Sequence, residues 1–290
     1  MSCLPESGCE DCSGQRGRGG LVARHTVIEL RDARPDDAIQ VADLLHLAQG
    51  KASIPIHGLG SLELALQFYR WMFARDGTFW SNDMTTVAVD GQKVVGLVAC
   101  YPNDEQRESR SIRNNAAIRE FFGTSGALVE YFRRRQAYSD GTPSFTASRG
   151  IYVMNLAVSP DYRRRGVAEM LLNVPDEACL RLGYVCCCLH AEEGNRPARK
   201  LFEKRGYSIQ ASGSGQGCQE LCGFGGYLFM VRHPHVVDGG APVPVLSHDL
   251  ADLEVPAETV KREGDQTSLS EPPGTQTLGR LVVLRQSDLV

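Results

Sequence analysis

Three consecutive arginines and a glycine, Arg163-Arg164-Arg165-Gly166, form the most chemically pointed stretch of this chain. Guanidiniums are permanently charged forks that match phosphate oxygens. Gly166 has no Cβ, so successive backbone N–H groups around it can converge on one point. The apolar, branched stretch 151–158 before it reads as an inner strand that Ser159-Pro160 ends, and the stretch from 167 onward reads as a helix. A strand, a glycine turn and a helix N-terminus in that order make an anion site best suited to a phosphate.

Other reactive residues carry less. His57 lies among the helix breakers Pro55, Gly58 and Gly60, and reads first as a surface histidine and second as a substrate contact on a loop. Cys9-x-x-Cys12 has the spacing of half a zinc site, for which Cys218-x-x-x-Cys222 is the one candidate second half; free thiols are the plainer reading and no metal is expected. Cys186-Cys187-Cys188 falls on a strand, where neighbours alternate faces, so the three cannot form one metal site and read as buried small hydrophobes. Arg133-Arg134-Arg135 reads first as a solvated helix end and second as a hold for an acidic substrate or a second phosphate.

The elements that must position these residues follow from patterning. The 290 residues are 42% hydrophobic and 23% charged with a net charge of -4, ordinary for a globular chain and without a basic face for nucleic acid. No run approaches the ~20 apolar residues of a membrane span, and the amino terminus lacks the apolar core of a secretory signal. An intracellular, cytoplasmic setting is expected with an organelle left open, and the ten cysteines are then expected to be reduced. Residues 26–31 read as a first strand. A helix opens at Pro35-Asp36 and closes at Gly50, 53–60 reads as a loop, and a second helix runs from Ser61 to about 75. Residues 85–89 and 93–101 form a hairpin around Asp90-Gly91. The stretch 103–148 reads as an insertion with helices around 118–122 and 128–137. The helix 167–182 carries Pro175, expected to kink or divide it. A strand at 184–191, a helix at 195–204, a strand at 207–211, a Gly/Ser loop at 212–225 and a strand at 226–232 complete the domain. Residues 1–24 and 233–290 read as disordered tails, leaving a single domain at 25–232.

Two motifs, Arg163-x-x-Gly166-x-Ala168 and Asn195-x-x-Ala198-x-x-Leu201-Phe202-x-x-x-Gly206-Tyr207, set among these elements, resemble the GNAT superfamily of acyl-CoA-dependent N-acyltransferases over roughly residues 26–232. The resemblance implies an α/β (α+β) fold, a bent, mostly antiparallel mixed sheet flanked by helices. It implies acetyl-CoA as the acyl donor, with Arg163, Arg164, Arg165, Gly166, Val167, Ala168 and Glu169 about its pyrophosphate. Leu156, Ala157 and Val158 would offer backbone groups to the pantetheine arm, and Asn195 a hydrogen bond. The implied reaction is transfer of an acetyl group to a primary amine by direct attack in a ternary complex. The same pattern nominates the Leu156 N–H, at a strand bulge, for the developing oxyanion. It places His190 where some members carry a glutamate base, and an imidazole with a reference pKa of ~6.5 suits that task. Glu192 and Glu193 are the other candidates. The family's frequent tyrosine acid is replaced by Phe202, so Tyr207, a water or an unassisted thiolate takes its place. A catalytically weak acyl-CoA-binding module and a partner-binding scaffold are the alternatives. The amine acceptor, small molecule or protein, is not legible.

Overall fold

The computed structural model describes residues 27–103, 106–143 and 149–234; the expected tails at 1–24 and from 235 onward, with Cys9 and Cys12, lie outside them. The first strand, β1 (Glu29–Asp32), leads through a 3-10 turn into α1 (Ala38–Gln49), which Gly50 ends in a left-handed conformation at φ +52°. The expected loop at 53–60 is instead wound: a 3-10 turn, Gly50–Ala52, runs into a π-helical turn, Ser53–His57. Ser61 then caps α2 (Leu62–Phe73), its Oγ accepting the Leu64 N–H at 3.3 Å. The hairpin β2 (Thr85–Asp90) and β3 (Lys93–Pro102) turns at Gly91, as its sequence requires. Two helices, α3 (Gln106–Phe122) and α4 (Gly126–Ser139), fill the expected insertion.

The second half runs β4 (Gly150–Val158), α5 (Val167–Leu182), β5 (Cys186–Glu192), α6 (Arg196–Lys204), β6 (Ser208–Ser212), α7 (Gln216–Cys222) and β7 (Tyr227–Arg232). One expectation fails here, and one of two alternatives for another is excluded. The Gly/Ser stretch 212–225 contains α7, because Cys218 and Cys222, one turn apart, bury together against Ala52, Ile56 and Tyr138. Pro175 does not divide α5, which is one 16-residue helix. The Pro175 carbonyl accepts the Cys187 thiol at 3.3 Å, and the helix is pinned along its length by Val167, Leu171, Leu172 and Cys179 packed on the sheet.

The seven strands form one sheet in the order β1-β2-β3-β4-β5-β7-β6, antiparallel throughout except for β4 and β5. Helices α1 to α4 cover one face, where Phe68, Tyr69, Ile118 and Tyr131 meet Leu97, Tyr101 and Tyr152; α5 and α6 cover the other. The cysteine run obeys the strand period: Cys186 and Cys188 belong to the first layer, Cys187 to the second. Gly96 is a place where α5 packs close on the sheet. A Cβ there would stand 3.1 Å from the Ala157 carbonyl oxygen, 3.1 Å from Leu171 Cδ1 and 3.3 Å from Val167 Cγ1. Gly96→Val is therefore expected to destabilise the protein by ~1–3 kcal/mol, read as a lower urea midpoint. An unchanged midpoint would mean that α5 yields there without strain.

Candidate functional site

The parallel pair β4–β5 is short. Its register runs from Gly150 opposite Cys186 to Val153 opposite Leu189 and stops there. Yet β4 goes on to Val158, paired only with β3, and β5 goes on to Glu192, paired only with β7. The two strands therefore part inside the sheet. A bulge marks the same place: Asn155 faces Ala99 and Val153 faces Cys100, so Met154 is the extra residue. The bulge expected at Leu156 is thus two residues earlier, and Leu156 sits in regular register opposite Val98.

The polarity of the opened edge follows from alternation. Ser159 N–H donates to the Val95 carbonyl at 2.8 Å, and in an antiparallel ladder every second residue repeats that bond. Ala157 therefore turns its main-chain groups to Leu97, whereas Leu156 and Val158 turn theirs away from β3, into the gap. The expectation for Leu156 and Val158 fits this register; that for Ala157 does not, since its backbone is taken by the ladder. Arg163 Nε donates to the Val158 carbonyl at 3.2 Å, which ties the turn beyond β4 to the strand.

That turn is built for an anion. Arg164 and Gly166 are both left-handed, at φ +62° and +80°. Gly166 is the N-cap of α5, no side chain caps the helix, and the N–H groups of residues 164–169 have no acceptor among the described residues. Unpaired N–H groups at a helix N-terminus carry its positive end. Space above Gly166 is open, with nothing within 4 Å of where a Cβ would lie. The Arg165 guanidinium lies 5.0 Å from the centre of the Tyr162 ring, whose hydroxyl donates to Asp90 at 2.7 Å. Neither Arg164 nor Arg165 forms an ion pair among the described residues. Val167 is buried under the turn and Ala168 half-buried beside it. The Glu169 carboxylate points away, to Lys204 Nζ at 2.5 Å. Asn195 is exposed and caps α6, its Oδ1 accepting the Ala198 N–H at 3.2 Å and its amide nitrogen left over.

On the α1–α4 face the strands part around a pair missed by the sequence reading. His190, one residue past the last paired position of β5, shares a hydrogen bond of 2.9 Å between its Nδ1 and the hydroxyl of Tyr152 on β4. Its Nε2 meets the Pro143 carbonyl at 3.0 Å. A carbonyl only accepts, so Nε2 carries the proton and Nδ1 accepts from Tyr152. Burial holds His190 down at about 4, against the Pro143 bond, which raises it, and with help from the charge of Arg107. Asn155 is 2% exposed: its Oδ1 accepts from Gln49 at 2.7 Å, and its Nδ2 is a buried donor without a partner. Glu192, next on the same face of β5, is paired with Lys51 at 3.1 Å, while Glu193 is exposed.

Two further expectations are corrected. Tyr207 is 3% exposed and packs its ring 5.7 Å from that of Phe202 in the layer under α5 and α6. Burial pushes its hydroxyl pKa far up, and the groups that act on it, Cys187, Asp176 and Arg232, lie on β5, α5 and the end of β7. It is a core residue rather than a placed acid. His57 is no surface histidine either: it is 6% exposed, ringed by Phe68, Tyr69, Trp80 and Tyr131, and lowered to about 3 by burial and then by the charge of Arg135.

The two buried histidines give a pH dependence. Unfolded, both titrate near ~6.5; folded, they refuse a proton down to about 4 for His190 and about 3 for His57. Stability is then complete above ~6.5 and is lost as the pH falls toward 4, because the unfolded state binds more protons in that window. The urea midpoint is expected to drop across it, and less steeply in His57→Gln. A midpoint flat from neutrality to pH ~4.5 would contradict the burial of both rings.

Comparison with known proteins bears on this arrangement. The family described as "Acetyltransferase (GNAT) family" matches residues 53–207, a span that holds the gap, the arginine-glycine turn and Asn195. The protein named GCN5-related N-acetyltransferase 10, chloroplastic, from Arabidopsis thaliana is 39% identical over 114 residues, 38% of this chain and 40% of that protein. The match thus spans less than half of that relative. The crystal structure of an N-acetyltransferase from Staphylococcus aureus Mu50 has a TM-score of 0.52 at 18% identity, covering 70% of this chain and 100% of that one, a likeness of fold.

Proposed function

Since the chain belongs to the acetyltransferase (GNAT) family, we propose that it transfers an acetyl group from acetyl-CoA to a primary amine by direct attack within a ternary complex. The observation that carries this reading is the parting of β4 and β5 beyond Val153 and Leu189, leading straight to the uncapped N-terminus of α5. The unpaired N–H groups of 164–169, with Arg164 and Arg165, suit a pyrophosphate. The open edge at Leu156, with the Val158 N–H beyond it, suits an extended amide-bearing arm, bonded as a strand is bonded.

When bound, acetyl-CoA supplies a thioester carbonyl open to attack and a thiolate that leaves readily. The protein's part is to hold and move charge. The Leu156 N–H, turned into the gap, is the donor for the carbonyl oxygen as negative charge grows on it. Tyr152 takes the amine proton on its oxygen as it gives its own to His190 Nδ1, and the Nε2–H bond to Pro143 steadies the ring. His190 is neutral with Nδ1 unprotonated at any pH above about 4, and the burial that keeps it so also makes it a weak base, which takes the proton only as the attacking amine becomes strongly acidic. With Phe202 in the core and Tyr207 under α5 and α6, the thiolate leaves without a protein acid.

Residues 25–232, with 103–148 as an insertion, form the transferase domain in this reading. No described helix is long and apolar enough to cross a membrane, and the described cysteines are all free thiols, which suits an intracellular setting, an organelle included. Steady-state rates with labelled acetyl-CoA and a panel of peptides, polyamines and amino acids test the proposal. Intersecting double-reciprocal lines with at least one amine are expected. Parallel lines would mean an acetyl-enzyme, and tight binding without transfer to any amine would reduce the protein to a binding module.

A further inference from the structure

Five aspartate, arginine and histidine side chains are buried among the described residues, and all but one have a plain electrostatic solution. Asp37 is paired with Arg31 at 2.8 Å, Arg110 faces Asp83 at 3.6 Å, and Asp176 lies between Arg205 and Arg232. His57 is neutral. Arg135, on α4, is 7% exposed, and no carboxylate among the described residues lies within ion-pair distance of it. Its neighbours in sequence do not share the problem: Arg133 and Arg134 both reach Glu130, at 2.8 and 2.6 Å.

A guanidinium cannot escape burial by losing its proton, so an uncompensated one is strongly destabilising. Arg135 does not face a wall. With Ile56, His57, Asn114, Phe79, Trp80 and Tyr131 it lines a small, partly open cavity with room for about one water molecule, between the Ser53–His57 turn, α3 and α4. Asn114 spends its Oδ1 on the Phe79 N–H at 3.4 Å, which leaves its amide nitrogen as a second donor. Three aromatic rings and Ile56 make the rest of the wall, and such walls keep the dielectric low, which strengthens any charge pairing inside. We propose that this cavity binds a small singly charged anion on Arg135, a halide or the carboxylate end of a larger molecule. The inference stands apart from the transferase reading, because none of these side chains lies on β4, β5 or the turn before α5.

The test is thermal unfolding of the full chain against rising chloride and, separately, acetate, for wild type and Arg135→Met. General salt effects act on both proteins and cancel in the difference. At about ten times the Kd, wild type is expected to gain roughly 3–6 °C more than the variant. A difference with acetate alone assigns the site to carboxylates, and one with both assigns it to small anions at large. Equal responses of the two proteins, or none even at near-molar salt, overturn the proposal. Where Arg135→Met does not fold, bromide-soaked crystals of the wild type decide: an anomalous peak on Arg135 supports the site, and its absence refutes it.

Discussion

Gly166→Asp is expected to abolish acetyl-CoA binding while leaving the fold intact. The two halves of that statement have separate causes. Gly166 is left-handed at φ +80°, and aspartate is among the few residues that tolerate this region. A carboxylate at the N-cap also accepts the unpaired N–H groups of α5 and favours its positive end, which offsets the strain. The same carboxylate then occupies, with like charge, the place proposed for the pyrophosphate. In wild type, ligand at ~100 times its Kd adds ~2.7 kcal/mol, which is roughly 5–10 °C in a domain of this size. In the variant the unliganded melting temperature should stay within a few degrees and the ligand increment vanish. A variant that still melts higher with acetyl-CoA would move the phosphate seat away from this turn.

Tyr152→Phe is the second large effect, and it falls on turnover alone. The substitution removes one oxygen from a ring packed 5.4 Å from Tyr101 and leaves the packing as it is. It breaks the 2.9 Å link to His190 Nδ1, so the amine proton has no path to the imidazole. Loss of a general base lowers kcat by ~10²–10⁴, and binding of acetyl-CoA should not change. Glu192→Gln is the informative companion, because Glu192 is the other base candidate on this face, half-buried and held by Lys51. If Glu192→Gln is the variant that stops turnover and Tyr152→Phe is not, the proton goes to the carboxylate and the histidine is structural.

Much of this was legible in the residues. The hairpin, the strand at 150–158, the arginine-glycine turn and the Asn195 cap all carry local signals, a glycine, a proline or a capping side chain, that act over a few residues. What was not legible depended on contacts far apart in sequence. The helix at 216–222 forms because its two cysteines find a buried partner in Ala52 and Ile56. Pro175 does not divide its helix because the sheet holds both halves. Tyr152 gained its role only when β5 brought His190 beside it, 38 residues later in the chain. His57 and Arg135 look like surface residues by type, and only the aromatic layer around them makes them buried. Tyr207, named from sequence for its hydroxyl, lies in the core because Phe202 and the layer under α5 and α6 close over it.

The bulge at Met154 has a consequence for how this strand can change over generations. Because one extra residue sits there, Val153 and Leu156 share a face although three positions separate them, and Asn155 looks toward α1. Most substitutions along 150–158 exchange one side chain for another in place. Loss of the single codon for Met154 would act differently, because it removes the one residue that has no partner on β3. Val153 and Asn155 would become neighbours, still opposite Cys100 and Ala99, and Leu156 would still turn its N–H into the gap. The strand would keep both of its faces and lose only the local bend that the extra residue imposes. A relative one residue shorter at this place should therefore keep the same open edge on a straighter strand.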